Sequence, residues 1–516
     1  MHYQPGIAAI VEPSLNPSAR RSGSAAVAMP YPAIMTAQES PFLSQAAALL
    51  GPRGLIHDRD LIEPWLTDWR GRYSGKALAL AAPADTGEVA ALLKLCSAHR
   101  IAVVPQGGNS GMSGGATPDA SGNQLLLSLR RLDQIGPVDA ASREVTCGAG
   151  VILEHLHGAA EIAGLRFPLT LGGKGSATVG GLIATNAGGT QVLRHGTMRA
   201  AVLGIEAVLA DGSVYSALTP LKKDNRGFDL KQVFIGSEGT LGIVTAARLR
   251  LAPKIAARQA IWAGLDSIAA ARRLLELCDA KFGSALEGFE VLPRQCLAAV
   301  LGYLPQARAP LAGEHNWNAL IELVSEDPAA DLAGQATAVL EQALGAGLIE
   351  DAALSTSEAQ AEAMWLLRDS ISPALRGKGP AMQHDIAVPV ARMADFIAMA
   401  VPAVEAAFTG SQAYAFGHLG DGNVHFHVTA PPGVVRGTWE ALQGKAASQM
   451  VHDLVTQWHG TISAEHGIGQ MKRDELARLG DPVALELMAR IKLALDPHGL
   501  LNPGKLLPLA PKDATA

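Results

Sequence analysis

Cysteine is rare in this chain of 516 residues: there are four, and none of Cys96, Cys147, Cys278 and Cys296 stands in a CxxC spacing. That argues against a disulfide framework and against a thiolate zinc site, and it fits a reducing cytoplasm. Aromatic residues are also scarce, at 4%. Charge of one sign does not accumulate. The net charge is −6, Lys and Arg are scattered, and the densest basic spot is Lys222, Lys223 and Arg226. One such spot reads as a solvated face, so no nucleic-acid partner is expected. No apolar run approaches the roughly 18 residues needed to span a bilayer. The nearest, Ala394 to Phe408, is interrupted by Asp395, Pro402 and Glu405. A strand followed by GxGxxG and a helix is absent as well, which disfavours a bound NAD.

What is present is a large apolar fraction, 48%, and 55 glycines gathered in clusters. The first suffices for a sizeable core. At roughly 150 residues per domain, two or three domains are expected. Residues 1–45 read as a disordered extension, with compact structure beginning near Pro41. Arg20 and Arg21 precede a weakly apolar stretch, but Pro30 and Pro32 make it a poor signal core. A true start at Met29 or Met35 is the other reading. From Thr86 to His99, Val89, Leu92, Leu93 and Cys96 fall on one helical face, with Thr86 as cap. Strands are expected at 101–104, 125–129, 144–147, 205–209 and 243–249, a helix at 152–164, and a turn at Asp211-Gly212. The texture changes near 255, where long helical patterns alternate with strands. This predicts one domain over 46–255, a second over 256–508, and a disordered tail over 509–516.

Three glycine clusters stand out. The first, PQGGNSGMSGG from Pro105, runs from strand to strand, and its backbone N–H groups could form a nest for a pyrophosphate. The second, LGGKGSATVGGLIATNAGG from Leu171, would let a flat group lie against the backbone; close packing of two elements explains it nearly as well. The third is IGSEGTLG from Ile235.

A different signal is AFGHLGDGNVHFHV from Ala415. Asp421-Gly422 is a two-residue hairpin turn signal. With those two residues as the loop, His418 faces His425 across the strands, close enough to share a metal, and His427 lies on the same face. SAEHGIG from Ser463 offers Glu465 and His466 as a further ligand. Two histidines and one carboxylate leave coordination positions open, as in a catalytic metal site.

Together with the run KDNRGFDLKQVFIGSEGTLG from Lys223, these segments resemble the vanillyl-alcohol oxidase and p-cresol methylhydroxylase flavoprotein superfamily, and within it the D-2-hydroxyglutarate and D-lactate dehydrogenase branch. The resemblance extends from about Pro64 to Pro508. It implies an α+β fold: a p-cresol-methylhydroxylase-type FAD-binding domain, then an α+β substrate domain with an antiparallel sheet. The FAD contacts it carries over are Pro105, Gly107, Gly108, Asn109, Ser110 and Gly111 from the first cluster. From the second come Gly172, Gly175, Ser176, Thr178, Gly181, Thr185, Asn186 and Gly188. From the third come Glu238, Gly239, Gly242 and Ile243, and from the C-terminal run DPHGLLNPGK comes Asn502. The first loop contains no His or Tyr, so the flavin is expected to be non-covalent; His195 and Tyr215 are the remaining tether candidates. The resemblance makes His418, His425 and Glu465 the ligands of a divalent metal, zinc first, and His466 the general base.

It also assigns Arg368 and Ser372, four apart on one expected helix, to the substrate carboxylate. Two positions depart from the pattern: Gln383 stands where relatives often have a substrate-binding Lys, and His427 where they tend to have Asn. Both are expected substrate contacts, with a further metal ligand as the other reading of His427. Both put 2-hydroxyglutarate itself in question.

The function expected is oxidation of a D-2-hydroxy acid of the 2-hydroxyglutarate, lactate or malate type. The metal would bind the hydroxyl and carboxylate oxygens, His466 would take the hydroxyl proton, and the hydride would pass to flavin N5. A protein carrier or quinone is the expected electron acceptor, and a homodimer is left open. Two alternatives are a metal-dependent hydrolase or lyase without redox chemistry, and a catalytically silent FAD-binding subunit.

Overall fold

The computed structural model describes residues 41–508. Arg20, Arg21, Met29, Met35 and the tail 509–516 lie outside the described residues. Helix Pro41–Leu50 buries Phe42, Leu43, Ala46 and Leu50, so residues 41–45, read from the sequence as extension, are its first turns.

A four-stranded sheet follows, ordered Leu55–Ile56, Ala79–Ala81, Leu125–Ser128, Val103–Gln106. Helix Thr86–His99 packs Val89, Leu92, Leu93 and Cys96 into its core. Its cap is Asp85 rather than Thr86. The Asp85 side chain accepts from the Glu88 amide at 2.8 Å, while the Thr86 hydroxyl is taken by Glu206. Strands Val103–Gln106 and Leu125–Ser128 are parallel, and the first glycine cluster lies in the long loop between them.

A second four-stranded sheet, wholly antiparallel, is ordered Glu144–Gly148, Ile243–Arg250, Val202–Val208, Val214–Ala217. Its core takes in helix Leu153–Ile162 and a short helix, Val179–Thr185, inside the second glycine cluster. Glycine content hid that helix. Gly180 and Gly181 are poor helix formers, but an added Cβ on Gly180 would stand 2.7 Å from the Ala149 Cβ, so close packing requires glycine there.

The third sheet has seven antiparallel strands, ordered Asp351–Leu354, Ala257–Leu265, Trp317–Ser325, Leu286–Pro293, Gln412–His418, Asn423–Thr429, Ala381–Ala387. Alternate side chains go to opposite faces. Ile261, Ala263 and Ile321 join helices Ile268–Phe282, Leu332–Gly345, Met393–Ala407 and Lys445–Gln457 in one core. Ala260, Trp262, Leu320, Tyr414 and Phe416 join Arg294–Tyr303, Glu358–Asp369 and Ile371–Gly377 in another. That second face carries the hairpin histidines.

The hairpin differs from expectation. Its loop is four residues, 419–422, so His418 pairs with Asn423, and His425 pairs with Phe416. Leu419 is the reason. It is fully buried and gives its amide to the Phe289 carbonyl at 2.9 Å, so it cannot pair with Val424. The chain then returns to the first sheet. Asn502 donates to the carbonyls of Gly115 and Glu238, at 3.0 and 2.8 Å, fastening two glycine clusters together.

Candidate active site

The glycine clusters, the hairpin and the 465–466 turn converge on one cavity of about 1620 Å³. Its long arm is built from backbone. An added Cβ on Gly108 would stand 1.6 Å from the Ser176 carbonyl oxygen, and one on Gly107 would stand 2.2 Å from Thr178 Oγ1. Only glycine allows the first two clusters to meet so closely. Asn109 takes a left-handed φ of 51° and donates to the Thr67 carbonyl at 2.9 Å, which turns the loop over the cavity. Thr178 Oγ1 is buried there with no hydrogen-bond partner among the described residues. A polar cradle with an unmet group suits a bound dinucleotide.

Pro105, Gly107, Gly108, Asn109, Ser110, Gly111, Gly172, Ser176, Thr178, Gly181, Thr185, Gly188, Gly239, Gly242, Ile243 and Asn502 all line the cavity, as does Glu238. Gly175 and Asn186 do not. Asn186 ends its helix with φ 49° and accepts from Thr197 and Arg199 instead. The Glu238 carboxylate is also occupied, accepting the amides of Ile468 and Gly469 at 2.7 Å each. It ties the third cluster to the turn after His466.

At the other end, ligand atoms of His418, His425 and Glu465 lie within 4.8 Å of one another. The longer loop does not separate the histidines. They sit diagonally across the strands with ring centroids 5.3 Å apart, within reach of long or aromatic side chains. Gly188 touches Glu465, with its ideal Cβ 3.4 Å from the carboxylate, so the backbone-lined arm reaches this cluster.

Two carboxylates that carried no role in the sequence organise the site. Glu290 lies between Arg368 and His418: Arg368 Nε reaches it at 2.8 Å, and His418 Nδ1 hydrogen-bonds its other oxygen. Burial opposes that arrangement, yet Arg368 and His418 hold Glu290 down to about 2, and Glu290 pushes His418 up to about 9. Asp385 is the second. It accepts the amides of Glu465 and His466 at 2.8 and 2.9 Å and the Asn423 side chain at 2.9 Å. His466 Nδ1 is 3.5 Å away and His425 Nδ1 3.9 Å. Burial pushes Glu465 up to about 7, reinforced by Asp385 and Asp421, and burial holds His466 down to about 4. A charge between apolar neighbours, Phe289-Glu290-Val291, in a strand that also carries Glu287, was the available signal for Glu290. Asp385 had none beyond its place after Gln383.

Arg368 and Ser372 line the cavity but not on one helix. Helix Glu358–Asp369 ends before Ser370, and Ser372 belongs to Ile371–Gly377. Gln383 and His427 are directly opposed across the strands, so the two sequence departures are one site.

Comparisons with known proteins agree with this architecture. Residues 77–217 match an FAD binding domain, and residues 254–506 match the C-terminal domain of FAD linked oxidases. p-Cresol methylhydroxylase superposes with a TM-score of 0.71 at 16% identity, covering 90% of this chain and 96% of that one. 4-Ethylphenol oxidase from Gulosibacter chungangensis gives 0.67 at 17%, covering 93% and 98%. Fold and domains define an FAD-dependent oxidoreductase, which removes the hydrolase and lyase alternatives.

The relatives narrow this further. D-2-hydroxyglutarate dehydrogenase of Bos taurus is 38% identical, over 89% of this chain and 82% of its own length. That of Xanthomonas citri pv. viticola is 36% identical, over 86% and 92%. The probable D-2-hydroxyglutarate dehydrogenase of Oryza sativa subsp. indica is 36% identical, over 90% and 81%. The chain belongs to the D-2-hydroxyglutarate dehydrogenase family. The cattle and rice proteins are named as mitochondrial, which overturns the cytoplasmic location expected from the cysteines. All four thiols are buried and unpaired, and nothing in them distinguishes one reducing compartment from another.

Proposed function

We propose that this flavoenzyme oxidises a D-2-hydroxy acid to the 2-oxo acid, with His466 as general base and a divalent cation, zinc first, held by His418, His425 and Glu465. The observation that carries the reading is the meeting of the two hairpin histidines with Glu465 and His466 beside Gly188, at the inner end of the backbone-lined arm. The donor set suits such a cation: two imidazoles and a half-buried carboxyl that lacks a cationic partner within ion-pair distance among the described residues.

The flavin, when bound, supplies the acceptor for the hydride. The cation, when bound, lowers the pKa of the substrate hydroxyl and fixes its orientation. The protein does the rest. His466 is neutral near pH 7, because burial holds it down to about 4, and is therefore able to accept the hydroxyl proton. Its Nδ1 faces Asp385, which leaves Nε2 for the substrate and gives the protonated ring a carboxylate partner. Arg368 Nη2 lies 3.0 Å from His418 Nε2, so a cation held by His418 would displace that contact and leave an arginine N–H for the substrate carboxylate. The flavin is non-covalent in this reading: neither His195 nor Tyr215 lines the cavity. A protein carrier or quinone takes the electrons.

The test is anaerobic bleaching of the flavin absorbance by a panel of D- and L-hydroxy acids. A D-2-hydroxy acid should bleach it and the L-enantiomers should not. His466→Ala should keep FAD and lose bleaching; full activity in that variant removes His466 from the mechanism. Chelation should stop turnover without releasing flavin. Bound FAD that no hydroxy acid reduces would leave a silent subunit as the reading.

A further inference from the structure

We infer that the reaction cavity has a gated side opening, a wall of Thr170, Gln191, Arg258 and Glu322 through which the hydroxy acid enters and the 2-oxo acid leaves while the flavin stays bound. The inference rests on the hydroxy-acid reading above and adds the route of exchange to it.

A second cavity of about 560 Å³ lies where the FAD-binding half meets the seven-stranded sheet. Those four residues line it and the reaction cavity alike, so they are the partition between the two. The outer rim of the second cavity is exposed. Glu161 and Lys254 pair across it at 2.9 Å with more than half of each side chain in solvent. On the inner side the wall adjoins the reacting end. Gln191 is three residues from Gly188, which touches Glu465. Glu362, Trp365 and Arg368 follow at three-residue steps along helix Glu358–Asp369, and all three line the reaction cavity. With the dinucleotide in the long arm, exchange at the reacting end calls for a separate way to solvent.

The two halves of the wall belong to different parts of the fold, and each is bonded within itself. Thr170 and Gln191 bracket the second glycine cluster, and the Thr170 amide donates to the Gln191 side chain at 2.8 Å. Arg258 stands on strand Ala257–Leu265 and Glu322 on Trp317–Ser325, and Arg258 Nε donates to Glu322 at 2.6 Å. Among the described residues no hydrogen bond or ion pair joins Thr170 or Gln191 to Arg258 or Glu322. Such a seam can part without breaking a polar contact.

Glu322 is the fixed member. It is 7% exposed, and it also accepts the Trp365 indole N–H at 2.7 Å. Arg258 is the movable one. Its Nη1 is held by Glu358 and Glu362, whose side chains are 67% and 64% exposed. Exposed ion pairs are worth little, so the guanidinium can trade either carboxylate for that of a passing acid without leaving Glu322. A cationic gate suits an anionic traveller.

The test labels a cysteine placed in the second cavity of the holoenzyme. Ala256 is exposed and lines that cavity but not the reaction cavity. The four native thiols are buried, and burial pushes those of Cys96, Cys147 and Cys278 up to about 12, so a methanethiosulfonate reacts first with the new one. Binding of 2-oxoglutarate is followed by stopped flow through the flavin spectrum. With a biotin-bearing adduct on Ala256→Cys, association and dissociation rates should both fall at least tenfold with Kd unchanged, the mark of a blocked route rather than an altered site. A methyl adduct there, or the biotin adduct on the exposed Ala489→Cys, should change neither rate. Arg258→Met should raise both rates at least threefold. Where that variant fails to fold, Glu358→Gln with Glu362→Gln loosens the same arginine and should raise them too. Unchanged rates in the biotin-labelled protein, unchanged rates in the gate variants, or a shifted Kd overturns the proposal. So does loss of FAD from the adduct, which would make the second cavity part of the cofactor site. Slowed 2-oxoglutarate exchange without flavin reduction by any hydroxy acid sinks the oxidation reading and leaves the route standing.

Discussion

Asp385 fixes what the Glu465-His466 turn cannot fix by itself. One carboxylate receives both backbone amides of that turn and also faces the rings of His466 and His425. The proposed base and a proposed metal ligand are thereby held in one orientation. Asp385→Asn keeps the size and loses the charge. It should lower kcat about 10–100-fold, the usual cost of an outer partner, with flavin content unchanged and a smaller effect on KM. Steady-state kinetics with absorbance-based FAD quantitation checks this, and an unchanged kcat would show Asp385 to be only a structural acceptor. At this scale the sequence was uneven. Glu465 and His466 were legible because they sit in a short, unusual motif. Asp385 and Glu290 were not, since each acts through partners 38 to 128 residues away.

Among the elements, the hairpin shows why turn chemistry and register are separate questions. Asp421-Gly422 is a turn, and Gly422 has the φ of +85° that such a turn favours. The register was set instead by Leu419, which the neighbouring strand captures. The site survives because a diagonal histidine pair is nearly as close as an opposed one. Gly422 cannot readily be replaced: an added Cβ would stand 2.2 Å from the Val388 carbonyl oxygen. Gly422→Ala should destabilise the protein by about 1–3 kcal/mol through backbone strain alone, read as a lower calorimetric melting temperature. It should also weaken retention of the proposed cation, measured by elemental analysis after dialysis. A variant matching wild type in both would mean that the loop relaxes freely.

For the whole molecule, a buried ion network joins the flavin-binding half to the seven-stranded sheet. Glu287, on strand Leu286–Pro293, takes Arg166 through both oxygens, Arg194 at 3.1 Å and His195 at 3.6 Å. Burial opposes its charge, but Arg166 and His195 hold it down to about 2. A carboxyl lowered on folding stabilises above its ordinary range and loses that contribution as pH falls toward the folded value. Wild-type stability should therefore fall between about pH 4.5 and about 2. Glu287→Gln takes the carboxylate from two partly buried arginines, of which Arg194 keeps Glu326 at 3.5 Å, and should cost about 1–3 kcal/mol near neutrality, with a flatter acid profile. Denaturant melts at stepped pH measure both, and parallel profiles for the two proteins would discount the network.

The sequence by itself determined the cofactor arm and the residue types of the proposed site. Glycine clusters, a histidine hairpin and a Glu-His turn are local patterns whose residue types already state what they can bind. Tertiary structure decided which of those residues meet, which carboxylates stand behind them, and that Gln383 and His427 are one cross-strand pair. Those outcomes depend on strand order and register, which follow from burial across the whole chain and leave no mark in any short segment.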